Sequence, residues 1–445
     1  MTNRELLRRV LTIAIPSSVQ FVVNYIQIST DLAFVGHYST SGISAIQNAR
    51  APYFFLLSFF LAFSNGTNIL IAQSLGSKRR QRAIRIAGSS LFYNQILSFG
   101  YLVFWLLLGK TFLTLIGAKG EILQLGTTYV RLVSLSFVAE GLILTSIAIF
   151  QGRGQTLPVT ISAILRCGLN IPLDWCMIYG RWGFPEMGVA GAALATTISE
   201  LLGGSFMIVL LFRMPDFPIK IAHIFRPVLH LYRRVVQIGF PNGLELMLWS
   251  VGNTGIVALL NMLNKDAAGY FGVTNVIKML NMSLYFGLGI ATLTLVGMAV
   301  GARDYPLAKR SGLLPLYLAF GICVVTGIAY LTIPKTIIGI FISEPAVVHQ
   351  LQPLMFILAL TLFPQTFNVV GGNSIRARGD TKWLLKTQTI GTILIIPLAY
   401  VAIFPFRLGL SGLLVVVLFD ELWRALVNYA RLRYLYKKER HAAQI

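Results

Sequence analysis

Arg8-Arg-Val-Leu-Thr-Ile-Ala-Ile-Pro16 recurs 225 residues later as Arg233-Arg-Val-Val-Gln-Ile-Gly-Phe-Pro241. The same interval joins Thr67 to Thr292, Gly76 to Gly301, Ala83 to Ala308 and Arg85 to Arg310. It still holds at Arg153-Gly154 with Arg378-Gly379, Thr156 with Thr381, and Pro172 with Pro397. After a slip to 221 it pairs Gly188 with Gly409, Gly191 with Gly412 and Glu200 with Glu421. Chance gives scattered matches but not a constant register, so the chain is two copies of one half. In a membrane protein such a repeat points to a transporter whose path lies between the halves.

Composition makes it a membrane protein. Hydrophobic residues are 56% and charged residues 12%, against roughly 25% charged in soluble proteins. Apolar runs near the ~20 residues that cross a bilayer recur along the chain. They fall at about 10–35, 44–73, 87–109, 127–150, 158–180, 188–212, 235–260, 268–300, 312–334, 350–373, 384–405 and 409–430. The expectation is an all-α integral membrane protein of twelve transmembrane helices. Residues 1–212 would form one six-helix lobe, 213–234 a linker punctuated by Pro215, Pro218 and Pro227, and 235–445 a second lobe with a basic tail. Six is even, so both copies enter from the same side as parallel repeats.

A net charge of +21 invites a nucleic-acid reading, but its distribution argues otherwise. Basic residues crowd every second junction: Arg4 to Arg9, Lys78 to Arg85, Arg153, Arg213 to Arg234, Arg303 to Arg310, Arg376 to Lys386, and Arg431 to Arg440. The alternate junctions hold only Arg50, Lys110, Lys119, Arg181, Lys265, Lys335 and Arg407. Twenty-six against seven places both termini in the cytoplasm of an inner-membrane protein. No nucleic-acid partner is expected, and the Lys78–Arg85 run is read as setting topology.

Cys167, Cys176 and Cys323 all lie in apolar spans, with neither metal-ligand spacing nor a disulfide framework. The first apolar run lacks a small-residue cleavage site and should stay in the membrane. Asn65-Gly-Thr67 has the form of a glycosylation acceptor but sits inside a span.

A charge at the centre of a membrane helix costs roughly 2.5–3.5 kcal/mol on insertion scales, so each one calls for a reason. Gln20, Asn24, Gln27 and Asp31 stand on one face of the first helix at i, i+4, i+7 and i+11. A polar stripe ending in a carboxylate suggests a helix lining a wet cavity; interhelical hydrogen bonding explains the amides but explains a lone Asp poorly. A second carboxylate follows in Asn170-Ile-Pro-Leu-Asp174. Asp31 lies about 33 Å along its helix at ~1.5 Å per residue. Asp174 and Thr196 also belong to the outer half, so Asp31, Asn170, Asp174 and Thr196 can converge. Glu245, at the position equivalent to Gln20, either lines a second-half cavity or pairs with a neighbour. Lys278 is either on the substrate side or faces a carboxylate, and Glu140 is open between the same two kinds of role. By the repeat, Asp31 falls on Ile256 and Asp174 on Ala399, so the acid pair belongs to the first half alone.

These residues resemble the multidrug and toxic compound extrusion (MATE) family. The carrying segments are Asp31-Leu-Ala-Phe-Val-Gly-His37, Gly152-Arg-Gly-Gln-Thr156, Asn170-Ile-Pro-Leu-Asp174 and Gly188-Val-Ala-Gly-Ala-Ala-Leu-Ala-Thr196. The resemblance implies two lobes around a V-shaped cleft and export of organic cations or other amphipathic compounds driven by H⁺ or Na⁺. It is closer to the DNA-damage-inducible-protein-F branch, which implies a first-lobe cation site, proton or Na⁺, at Asp31, Asn170, Asp174 and Thr196, and a bend of the first helix at Pro16. The NorM branch would place acids deeper in the seventh helix and in the tenth. Here those places hold Trp249 and only Gln365, Asn368 and Asn373, and the tyrosine some relatives carry before the first acid is Gln27.

The mechanism this suggests is antiport by alternating access. Two carboxylates in a dehydrated site repel, so an entering cation neutralises them and displaces a cationic substrate. The first helix then re-packs at Pro16, where a helix hydrogen bond is missing. Beyond the coupling ion no cofactor is expected; the partners are small amphipathic or cationic substrates and membrane lipids, and the chain should be a monomer. A lipid-linked oligosaccharide flippase would need a basic cavity, for which only Lys278 and Arg166 offer themselves. A membrane-embedded enzyme would need a nucleophile–base pair or a metal cluster that the sequence does not display, so the chain is not expected to be an enzyme.

Overall fold

The computed structural model describes residues 1–115, 117–263, 267–341 and 344–442, and Lys265 lies outside them. The described elements are all helical. In the first half they are α1 (Asn3–Tyr38), α2 (Thr40–Gly76), α3 (Arg80–Leu115), α4 (Gly120–Ser134), α5 (Phe137–Gly152), α6 (Leu157–Tyr179) and α7 (Val189–Phe212). The short α8 (Ile221–Phe225) leads into α9 (Leu229–Leu263). Then come α10 (Ala267–Gly301), α11 (Tyr305–Thr332), the short α12 (Pro334–Gly339) and α13 (Pro345–Leu351), and α14 (Leu354–Thr366). A π-helical turn, Phe367–Gly371, joins α14 to α15 (Gly372–Arg376), followed by α16 (Thr381–Ile403) and α17 (Gly409–Ala442).

Local chemistry sets the ends. The Ser39 hydroxyl accepts from Gly42 N–H at 3.0 Å and opens α2, and the Asp304 carboxylate does the same for α11 through Leu307 N–H. Gly180, in the left-handed region at φ 65°, closes α6. Among the described residues ten helices are long and apolar enough to span a membrane, and α4 with α5, bent by 53°, forms an eleventh. No proline makes that bend. The Ser134 and Ser136 hydroxyls instead bond back to the Arg131 and Val133 carbonyls at 2.7 Å each, competing with the backbone ladder. The twelfth expected span is α17, which has the length but carries Asp420, Glu421 and Arg424 in its apolar half. Arg424 pairs with Asp420 at 2.6 Å and with Glu421 at 3.2 Å, so the charges are compensated within the helix itself.

The chain forms two compact units, one of Val19–Gly243 and one of Met1–Ser18 with Leu244–Ile445. The division therefore falls inside α1 and α9, within a few residues of Pro16 and Pro241. The stretch 213–234, read from its prolines as a linker, is packed into the first-half unit: Phe217 and Ile219 are buried in its core, and Val228 N–H donates to the Ser89 hydroxyl at 2.9 Å. Each unit holds one very close helix crossing where the repeat predicts an equivalent. A Cβ on Gly239 would lie 2.6 Å from the Ala62 carbonyl, and one on Gly287 would lie 2.4 Å from the Ala14 carbonyl. The repeat maps Ala14 onto Gly239 and Ala62 onto Gly287, so the small residue is a glycine on opposite sides of the same crossing.

Candidate functional site

The polar face of α1 turns inward. Gln20 and Gln27 are buried and Asn24 half-buried, while Ile26, off that face, is 46% exposed. Near its end α1 is tied to the end of α6. The Tyr179 hydroxyl donates to the Phe34 carbonyl at 2.8 Å, and the Tyr179 ring meets Phe34 and Tyr38 edge-on at 6.2 Å each. Running the two helices back from that tie brings Asp31 beside Asp174, and the two carboxyl groups come within hydrogen-bonding reach of each other.

Asn170 and Asp174 sit one turn apart on α6, both completely buried. Pro172 lies between them and leaves its turn without one backbone donor. Both carboxamide atoms of Asn170 have no hydrogen-bond partner among the described residues, and no described N–H or hydroxyl supplies either Asp174 oxygen. Buried polar groups are paired in the large majority of cases, so the unpaired side-chain atoms of this turn mark it as a candidate site. Thr196 stands at the same level: Gly191 of α7 packs on Met177 of α6, and five residues further along the antiparallel pair brings Thr196 opposite Pro172. Its hydroxyl donates to the Ala192 carbonyl at 3.0 Å, leaving oxygen lone pairs available.

The second-half candidates lie elsewhere. Glu245 forms an ion pair with Arg376 on α15. Lys278 lines a small cavity with Trp249, Gln388, Asp420, Glu421 and Arg424, and the Glu421 carboxylate is near enough to act on it electrostatically. Lys278 thus has a carboxylate near it and also lines a cavity, as each of its two open roles requires. The acids and bases of this group offset one another.

A first-half ion pair was not singled out from the sequence. Arg166 on α6 holds Glu200 on α7 through both carboxylate oxygens at 2.8 and 2.7 Å, with Glu140 of α5 close by. To reach it, Arg166 passes directly over Gly203, where a Cβ would lie 2.3 Å from the Arg166 side chain. The second half makes the same pair with the roles exchanged. Arg424 is on α17, where the repeat places Gly203, and Gly391 is on α16, where it places Arg166; a Cβ on Gly391 would meet Asp420 at 2.5 Å and Arg424 at 3.3 Å. Glu200 and Glu421 stay in register. The exchange is written in the sequence, as two Arg/Gly mismatches flanking a matched Glu.

The MatE family model matches residues 16–176 and again 241–401. The chain belongs to the MATE family. It is a multi-pass membrane transporter and not an enzyme, and the two matched stretches lie 225 residues apart, the interval read from the repeat. The uncharacterized transporter YisQ of Bacillus subtilis (strain 168) is 26% identical over 410 residues, covering 91% of this chain and 89% of that protein. The probable multidrug resistance protein NorM of Thermotoga maritima is 26% identical over 429 residues, covering 95% and 91%. A solved MATE in the bent conformation shares the fold at TM-score 0.91 and 20% identity, over 99% of this MATE chain and 97% of that one.

Proposed function

We propose that this MATE chain is a secondary antiporter that exports organic cations or other amphipathic compounds in exchange for H⁺ or Na⁺. The coupling ion binds between Asp31 and Asp174, with Asn170 and Thr196 as further oxygen ligands. This is the first-lobe arrangement of the DNA-damage-inducible-protein-F branch. The observation that carries the reading is the buried Asn170–Asp174 turn, whose side-chain polar atoms have no hydrogen-bond partner among the described residues and face a second carboxyl group. Two buried carboxylates cannot both stay charged without a compensating cation. A proton shared between them, or a small cation held by oxygen ligands, completes the site.

The multidrug role of relatives such as NorM supports an amphipathic export substrate. The inward polar face of α1 gives such a compound hydrogen-bonding partners at Gln20, Asn24 and Gln27. Arg166, one of two deep cations that a phosphate-carrying flippase would need, is already spent on Glu200. The basic loops support a cytoplasmic location for both termini. Export from proteoliposomes, with a proton gradient and a sodium gradient imposed separately, tests the function: antiport requires one of them to drive uptake of a fluorescent cation into inverted vesicles. Equal transport with neither gradient overturns it.

A further inference from the structure

Arg79, Arg82, Arg85 and Arg234 line an open cavity of about 530 Å³ whose floor includes Val228 and Leu231. Arg79 belongs to the turn between α2 and α3, Arg82 and Arg85 to the first turns of α3, and Arg234 to the start of α9. Arg82 stands close enough to Arg79 and to Arg234 for their charges to repel. None of the four guanidinium groups forms an ion pair or hydrogen bond with a described residue. Four like charges around one concavity work against the compact state unless an anion joins them.

Topology alone does not call for this cluster. The two halves are parallel copies, so the positive-inside preference acts equally on the junction before α3 and on its equivalent before α11. Moving 225 residues along, Arg79 becomes Asp304, Arg82 becomes Leu307, Arg85 becomes Arg310, and Arg234 corresponds to Arg9. There Asp304 is used as a helix cap and Arg310 donates to the Asn3 carboxamide at 2.5 Å. The four-arginine cluster therefore has no counterpart at the equivalent junction of the second half.

We propose that this cavity binds the headgroup of a doubly phosphorylated anionic lipid. The cavity lies at the turn between two candidate membrane spans, α2 and α3, beside the start of a third, α9, and the end of a span is where lipid headgroups are expected. Guanidinium forks match phosphate oxygens two at a time, and four of them exceed what a single phosphate can use. The Val228 and Leu231 floor suits the glycerol and first methylenes of a lipid, which a soluble polyphosphate lacks. Basic pockets between transmembrane helices are a recognised mode of holding such headgroups.

The test uses the full chain in phosphatidylcholine nanodiscs doped with cardiolipin, read by native mass spectrometry and lipid titration. Arg82→Gln with Arg234→Gln should weaken cardiolipin binding about thirtyfold, equivalent to about 2 kcal/mol for two basic residues near an anionic headgroup. Arg303→Gln with Arg310→Gln, in the other half, should leave binding unchanged. Arg82→Lys with Arg234→Lys keeps the charge and guards against misfolding; it should weaken binding severalfold through loss of the fork geometry. Unchanged binding in the Gln or Lys pair overturns the proposal, as does an equal loss in the second-half pair. Inorganic pyrophosphate that binds as tightly as the lipid and displaces it would identify a soluble phosphate ligand instead, and would equally overturn it.

Discussion

Asp174 is a costly residue to hold inside the first-half unit. It is completely buried, faces the Asp31 carboxyl group, and no N–H or hydroxyl of a described residue supplies its oxygens. A group in that position persists for a reason other than stability. Asp31→Asn should therefore abolish gradient-driven export while leaving the protein folded and inserted, since the amide keeps the volume and cannot take up a proton; wild-type export by a well-expressed variant would refute the role. The contrast between halves is the sharper test. Asp174→Asn should erase the pH or Na⁺ dependence of fluorescent-cation binding, whereas Glu245→Gln should leave that dependence intact, because Glu245 already has Arg376. Titrating both purified variants over pH and then over Na⁺ separates the cases. Loss of dependence in Glu245→Gln alone would move the ion site to the second half.

At the scale of the helix, α1 and α9 each belong partly to one unit and partly to the other, and the changeover comes two residues after a proline. A proline removes an i→i−4 hydrogen bond and softens the helix at that point. Pro16→Ala should slow turnover more than it weakens substrate binding, by stiffening α1 between its two packing environments; an unchanged turnover number with unchanged binding would leave Pro16 a packing residue only. The Arg166–Glu200 pair makes a prediction about stability instead. Glu200→Gln strands a buried guanidinium and should cost about 3–5 kcal/mol, whereas replacing both partners by apolar residues of similar volume should be close to neutral. Thermal unfolding in detergent measures both, and an equal loss in the single and double variants would refute the argument.

For the whole molecule, the repeat and the basic loops lead to the expectation that Lys78 and Lys119 lie on opposite faces of the membrane. Lys78→Cys should label from the cytoplasmic side and Lys119→Cys from the outside with an impermeant maleimide, the native cysteines being buried; labelling of both from one side would refute the topology. Most helix positions were legible in the sequence, because a bilayer imposes length and hydrophobicity on each span and those are local properties. The duplication was legible because it is a property of order along the chain. The inward face of α1 was legible too, since helical periodicity puts Gln20, Gln27 and Asp31 on one side without reference to any neighbour. Contacts between distant segments were another matter. The pairing of Glu245 with Arg376, the reach of Arg166 over Gly203, and the passage of α1 and α9 from one compact unit to the other depend on side chains far apart in sequence. Several chains of similar composition could choose other partners. Solvent sets the first kind of feature, one residue and one span at a time, whereas close packing between helices sets the second, and only the folded chain shows which small residue lets two helices meet.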